Sequence, residues 1–540
     1  MTLVSHRVTA GAPSWRPAVR FASLLALLLI VAACGDSSPT PLEPTPTPPT
    51  PPPSPGPTVP TTAPSLPREF RGLWIATVAN IDWPTRSDLS IGQQQAELIT
   101  ILDRAQAIGL NAVILQVRAA GDALYPSSLE PWMRSLGGAQ GVDPGWDPLA
   151  FAVNAAHARG LELHAWFNPF RAGNLSDTAR LHSQHLGRRR PDLLRRYCTQ
   201  LWFDPGEDDV RAHALEVISD VVRRYDVDAV HLDDYFYPYP DSRCPNLSFP
   251  DSSAYARYTA GGGTLDRANW RRDNVNRFVE ALRPTVHALR PTARVGISPF
   301  GIWRPGTPAG ITGLDSYASI YADSQWWLNR GWVDYFSPQL YWSRSSTGQN
   351  FDVLLAWWAS RNTQQRHLWP GLAAYRVADG TGSAFTAGEI DGQIREVRRL
   401  ADLNGAGAPR GTILYNTTSV LSNRGGLGTM LETAVFANRA AVPATPWLAA
   451  PTWNAADRSI TFQRGVNGFV RIAGTRPPAQ VRWLLLRWRT PTGWTFRQLP
   501  ASVDSVAWPL LANGTAAEHV ALEFLAPNGV GLGVLPLDTP

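Results

Sequence analysis

Two adjacent carboxylates, Asp233 and Asp234, close a short apolar run from Ala229 to Leu232, and Tyr235, Phe236, Tyr237 and Tyr239 follow at once. Such a run fits a buried parallel strand, and side chains at the carboxyl ends of parallel strands face the functional crevice. Carboxyls beside flat aromatic faces suit a sugar, whose hydroxyls need polar partners and whose C–H faces stack on rings. Neighbours on a strand point to opposite sides. Asp233 shares a side with His231 and is expected to face inward, as nucleophile or base, with Asp234 turned to the wall or the next loop. Glycoside cleavage normally takes two carboxyls. For the second, the acid, Asp323 is favoured because it follows the fifth expected strand and precedes Trp326 and Trp327; Asp122, Glu130 and Asp82 compete.

The elements that must position these groups repeat as strand, loop and helix. Expected strands run over 70–74, 111–118, 162–168, 229–232, 294–300, 333–342, 368–375 and 411–416. Between them lie helical stripes, such as Leu98, Ile101, Leu102, Ala105 and Ile108, stopped by Gly109. Thr386 and Glu389 have capping-box spacing before the seventh helix. Eight such units predict an α/β fold, a (β/α)8 TIM barrel over residues 68–440. Its surplus length falls in the loops after strands three, four and five, on the carboxyl face. Asp228 and Asp334 start their strands and read as structural; Asp233 and Gln339 end theirs. Over 446–540 the helical period gives way to short alternating runs, which predict a separable all-β sandwich resembling fibronectin type III modules. Trp453, Trp483, Trp488, Trp494 and Trp508 are expected mainly in its core.

The first 33 residues have the form of an export signal, with Arg7, Arg16 and Arg20 before an apolar stretch. It ends in Val31-Ala32-Ala33-Cys34-Gly35, which resembles a bacterial lipobox; Cys34 is the expected lipidation site. By resemblance to Gram-negative lipoproteins, Gly35 after it favours the outer membrane, facing the periplasm. Residues 34–67 form a proline- and threonine-rich tether that cannot build a core. Export to an oxidising compartment leaves Cys198 and Cys244 as an even pair, in loops on one face of the barrel, and a disulfide between them is expected. All 49 basic residues are arginine, which excludes Schiff-base and Walker lysine chemistry. A net charge of +5 over 540 residues does not indicate nucleic acid.

Several motifs together resemble a known family. They are Phe70-Arg71-Gly72-Leu73-Trp74-Ile75-Ala76-Thr77, Asn80-Ile81-Asp82-Trp83-Pro84, Gln116-Val117-Arg118, Gly121-Asp122-Ala123-Leu124-Tyr125, His164-Ala165-Trp166-Phe167-Asn168-Pro169, His231 to Pro238, and Asp334 to Trp342. The set resembles the bacterial glycosyl hydrolase-like family ten, over roughly Phe70 to Phe436. The resemblance implies a TIM barrel and glycosidase activity without a cofactor. It also implies a polysaccharide substrate, since some Gram-negative members are lipoproteins that cleave peptidoglycan glycan strands stripped of stem peptides. The substrate-binding candidates are Arg71, Trp74, Gln116, Arg118, Asp122, His164, Trp166, Asn168, His231, Tyr235, Gln339, Tyr341 and Trp342. Two other classes compete: a glycan-binding lipoprotein that does not cut, and a metal-dependent deacetylase using His164, His231 and Asp233, for which no His-x-x-x-His or comparable cluster exists.

Overall fold

The computed structural model describes residues 62–405, 407–449, 461–464, 469–473 and 480–537. The expected leader, Cys34, most of the tether and Trp453 lie outside the described residues. At the centre are parallel strands β1 Phe70–Ile75, β2 Ala112–Arg118, β3 Glu162–Phe167, β4 Ala229–Leu232, β5 Arg294–Ile297 and β6 Tyr335–Phe336. Next come β7, in two pieces, His367–Leu368 and Gly371–Ala373, and β8 Gly411–Tyr415. Pro370 interrupts β7 because it has no amide hydrogen for the ladder. The first piece pairs with β6 and the second with β8. The remaining strands pair in the order β6-β5-β4-β3-β2-β1-β8. The two halves of β7 therefore close the sheet into an eight-stranded barrel. Across the closure the Trp369 and Gly371 amides donate to the Phe336 and Pro338 carbonyls, each at 2.9 Å.

The helices begin and end where local chemistry dictates. The ring comprises α1 Ile91–Ile108, α2 Pro148–Ala158, α3 Asp208–Arg224, α4 Arg267–Leu289, α5 Ser324–Arg330, α6 Phe351–Arg361 and α7 Ala387–Asn404. Ser90 and Gln93 form a capping box at the start of α1, and Gly109 ends it at φ 92°, where a side chain would be strained. Asp147 caps α2 ahead of Pro148. The Thr386 hydroxyl accepts the Glu389 amide hydrogen at 3.2 Å.

The period-2 alternation of the strands sorts side chains into two sets. Leu73, Ile75, Val113, Leu115, Val117, Leu163 and Ala165 join the layer that also holds Leu98, Ile101 and Leu102 of α1. Phe70, Trp74, Ile114, Trp166, Tyr335, Trp369 and Ile413 form a separate cluster inside the barrel. Space there is tight. A Cβ on Gly296 of β5 would lie 1.9 Å from the Tyr335 ring, so glycine is what lets that ring occupy the axis. Tyr335 matters because the polar interior is organised around its hydroxyl, as described below.

The loop after β3 is itself structured, which the sequence pattern did not announce. It folds into an antiparallel sheet of Arg171–Asn174, Leu194–Tyr197 and Gln200–Phe203, with Gln200–Phe203 in the middle. Cys198, at its hairpin turn, forms a disulfide with Cys244 in the loop after β4, with Cα atoms 5.8 Å apart.

After the barrel the described strands form antiparallel sheets. One, of four strands, contains Trp483–Thr490, Gly493–Pro500, Val520–Leu525 and Gly531–Leu537. Trp483 is buried, and the Trp508 indole donates to the Ala517 carbonyl at 3.0 Å. This module is ionically joined to the amino ends of the barrel strands. Arg482 pairs with the buried Asp228 at 2.7 Å and also with Asp226. Asp228 in turn accepts the Leu163 amide at 2.8 Å and holds His157 at 2.9 Å. Asp334 similarly binds Arg283, His287 and the Trp447 indole, each at 2.9 Å. The module is thus less separable than the sequence pattern implied. Arg482→Ala should lower unfolding free energy by about 3 kcal/mol in chemical denaturation, since it strips a buried carboxylate of its cation. A loss below about 1 kcal/mol would mean that His157 and the backbone satisfy Asp228 alone.

Candidate active site

Asp233 and Asp234 lie just past the end of β4, and both are buried, at 4% and 6% exposure. Asp233 leans toward β3. Its Oδ2 accepts the Trp166 indole N–H at 3.1 Å and the Asn168 amide N–H, while its Oδ1 takes only a long 3.2 Å contact from the Tyr235 backbone N–H. Asp234 accepts from the Tyr239 hydroxyl in the loop after β4, and the Gln339 side chain past β6 also favours its charged form. Asp234, expected to turn to the wall or the next loop, is held by Tyr239 of that loop. Pleated alternation ends with the strand at Leu232, so the two carboxyls are free to sit side by side. Burial, and then the repulsion of Asp234, lifts Asp233 from an ordinary 3.8 to about 8. Burial also raises Asp234, against the donors Tyr239 and Gln339. The pair therefore holds a proton at neutral pH.

A directed chain of amides fixes Asp233. The Thr77 and Val78 backbone N–H groups donate to Gln116 Oε1 at 3.0 and 2.9 Å, Gln116 Nε2 donates to Asn168 Oδ1 at 2.6 Å, and Asn168 Nδ2 donates to Asp233. This order leaves each amide one orientation. Gln116 and Asn168, expected to touch substrate, instead position the carboxyl.

Below the pair runs a second chain along the barrel axis. The Trp74 indole donates to His231 Nε2 at 3.1 Å, which leaves Nδ1–H to donate to the Tyr335 oxygen at 2.9 Å. The Tyr335 hydroxyl then donates to His164 Nδ1 at 3.0 Å, and His164 Nε2–H reaches Glu162 at 3.2 Å, itself paired with Arg294 at 2.9 Å. Burial, then the neighbouring His164, drives the pKa of His231 well below its ordinary value, so it is neutral. Both nitrogens of each ring are spoken for. The histidines expected to bind substrate, or a metal, are interior links, and neither ring offers a free lone pair to an ion.

Other candidates are also reassigned by position. Arg71 starts β1 rather than ending it, and pairs with Glu69 at 2.7 Å on the amino face. Arg118 and Glu130, at 1% and 0% exposure, form a buried pair at 2.5 Å. Burial alone would raise the Glu130 carboxyl, but Arg118 and His213 outweigh it and hold it at about 2, too acidic to donate a proton at neutral pH. Asp122 accepts the Ala120 amide at 2.9 Å in its own turn, and Asp82 ties the Ala76 amide to Thr418. Asp323 precedes α5 and accepts the Trp303 indole at 3.2 Å. Burial raises its pKa, against the Trp303 and Trp326 hydrogen bonds and the charges of Arg272 and Arg304. The carboxyl beside Asp233 is its own neighbour, Asp234.

Half-buried aromatics flank the pair. On one side Tyr235 meets Tyr239 at 5.6 Å, Tyr239 meets Phe300 at 6.1 Å, and Phe300 meets Trp342 at 5.5 Å. On the other, Tyr341 stacks on Tyr415 at 6.0 Å with Tyr375 against both. Tyr375 and Tyr415 were missed in the sequence, although they stand at the carboxyl ends of the seventh and eighth units, where the barrel rule directs attention. Tyr235, Tyr341 and Trp342 keep their candidacy as sugar-facing rings.

Over 389 residues the chain is 39% identical to glycosyl hydrolase YngK of Bacillus subtilis, spanning 71% of this chain and 74% of that protein. Over 424 residues it is 34% identical to glycosyl hydrolase DigH of Escherichia coli, spanning 74% of this chain and 92% of that one. Among solved structures, the PgaB (BpsB) glycoside hydrolase domain from Bordetella bronchiseptica superposes with a TM-score of 0.47 at 14% identity, covering 68% of this chain and 98% of that domain. The family model of glycosyl hydrolase-like 10 matches residues 69–384, and the chain belongs to that family.

Proposed function

We propose that the protein hydrolyses glycosidic bonds in cell-wall polysaccharide, most specifically peptidoglycan glycan strands, with Asp233 as general acid. The observation that carries this reading is the buried, proton-holding Asp233–Asp234 pair at the carboxyl end of β4, set among half-buried aromatic rings. Asp233 Oδ2 is saturated by two N–H donors, so the proton belongs on Oδ1, which has only the long backbone contact. From there it passes to the glycosidic oxygen, the bond to the anomeric carbon breaks, and the sugar alcohol leaves. Asp234, charged, faces the positive charge that develops on the anomeric carbon. Water adds to that carbon and its proton returns to the pair. This gives Asp233 the acid role first expected of Asp323, and gives Asp234 the role first expected of Asp233. The lipobox at Cys34 and the tether support a periplasmic enzyme anchored by lipid to the outer membrane.

The activity should have a matching pH dependence. Because the acid must be protonated, kcat/KM should fall as pH rises through about 8. A profile flat to pH 9–10, roughly, would remove Asp233 from the acid role. The function itself is tested by mass spectrometry of soluble fragments after incubation with intact and peptide-stripped peptidoglycan. Oligosaccharides with one added water per cut are expected. Glycan bound but returned uncut would favour the binding-protein reading.

A further inference from the structure

Arg171 opens the small antiparallel sheet beside the carboxyl pair. Its guanidinium lies 5.8 Å from the centroid of the Tyr235 ring, and Tyr235 is the residue whose backbone N–H contacts Asp233. Burial and Asp234 raise the Tyr235 hydroxyl to about 12, while Arg171 lowers it. The ladder shifts register between Arg171 and Gly173, a bulge that re-aims a side chain. Trp202, fully buried opposite Arg171 in the register, packs against Tyr235 and fixes the platform from behind.

Arg171 lacks a partner among the described residues. Nearby arginines are satisfied: Arg118 by Glu130, Arg195 by Asp204 and Glu207, Arg271 by Asp251. Arg171 makes no side-chain hydrogen bond or ion pair among the described residues, and its Nε–H is buried without an acceptor. A buried donor is costly to leave unpaired, and a planar guanidinium matches a carboxylate with two parallel hydrogen bonds. A neutral sugar needs no such group.

We infer that Arg171 is an anion subsite that binds a carboxylate carried by a sugar adjacent to the one cleaved at Asp233. This rests on the hydrolase reading for its setting. The ligand class is a glycan with free carboxylates, either on a lactyl ether or on the ring carbon of a hexuronate.

The test measures binding on an Asp233→Asn background, so that ligand survives. Calorimetry compares a lactyl-ether glycan, a hexuronate glycan, and each with its carboxylate reduced to the alcohol. Reduction of the preferred ligand should weaken affinity at least about tenfold, and Arg171→Gln should weaken the carboxylate form to the level of the reduced one. Arg171→Lys should recover part of the loss. Equal affinity for parent and reduced glycan of both kinds overturns the subsite, as does an Arg171→Gln protein that still prefers the carboxylate. Which parent shows the difference identifies the source. Failure of the hydrolase reading would look different: no cleavage by the unsubstituted protein, with the affinity difference intact.

Discussion

Asp233→Asn should lower the rate of glycan cleavage at least about a hundredfold while leaving the barrel folded. The substitution keeps the size of the group and lets its oxygen still accept from Trp166 and Asn168, but it removes the proton that must reach the leaving oxygen. Glycan affinity should change little, because the loss falls on the transition state. Stability should move the other way. In the unfolded chain Asp233 ionises near 3.8, whereas in the fold it holds its proton to about 8. The folded state thus binds more protons across that window, and its stability falls as pH rises through it. Asparagine removes this cost, so the variant should be at least as stable as the parent at pH 7. Lower activity with equal or greater stability separates a catalytic group from a structural one. If the variant unfolds easily or keeps more than about a tenth of the rate, Asp233 is not the acid.

The second large effect concerns stability. Glu130→Gln should cost about 3–5 kcal/mol in denaturant unfolding, because it leaves the buried Arg118 guanidinium without its counter-charge. Arg118 also donates to the carbonyls of Asn168 and Pro169, at 2.5 and 2.9 Å. Those contacts hold the main chain of the residue that orients Asp233, so activity should fall with stability. Glu130 is held at about 2 in the fold against an ordinary 4.5. Its contribution is therefore present above about 4.5 and is lost as pH falls toward 2. Acid titration of the parent and the variant should converge below about pH 2. A variant losing less than about 1 kcal/mol at pH 7 would show that His213 and water neutralise the site without the ion pair.

Most of the barrel was legible because its signals are local. Period-2 runs, glycine stops and capping residues put seven of the strands and the main helices close to where they stand. β6 is shorter than the 333–342 run suggested, because Pro338 has no amide hydrogen to continue the ladder, although the Ser337 and Gln339 amides still donate to the Ile297 and Pro299 carbonyls at 2.8 and 3.0 Å. Asp233 was legible from its place at a strand end. Asp234 was legible as its neighbour, but not its side, because the strand alternation used to place it ends at Leu232. The roles of Arg71 and Arg118 were misread for a related reason: a charged residue in a strand motif reads as binding until its depth and partner are known. Glu130 lies twelve positions from Arg118, and only the fold brings the two together. The interior chain through Tyr335 depends on Gly296 making room from another strand, a relation no single stretch of sequence displays.

The central claim is that Asp233 delivers the proton to the leaving group. The most direct measurement is kcat/KM of the parent and of Asp233→Asn on two ligands of the same sugar sequence. One carries a sugar alcohol as leaving group; the other carries a nitrophenolate, which departs without protonation. A general acid is needed by the first and hardly by the second. The account predicts at least about a hundredfold loss on the sugar leaving group and less than about tenfold on the nitrophenolate. An equal loss on both would contradict it and make Asp233 the group that meets the anomeric carbon instead.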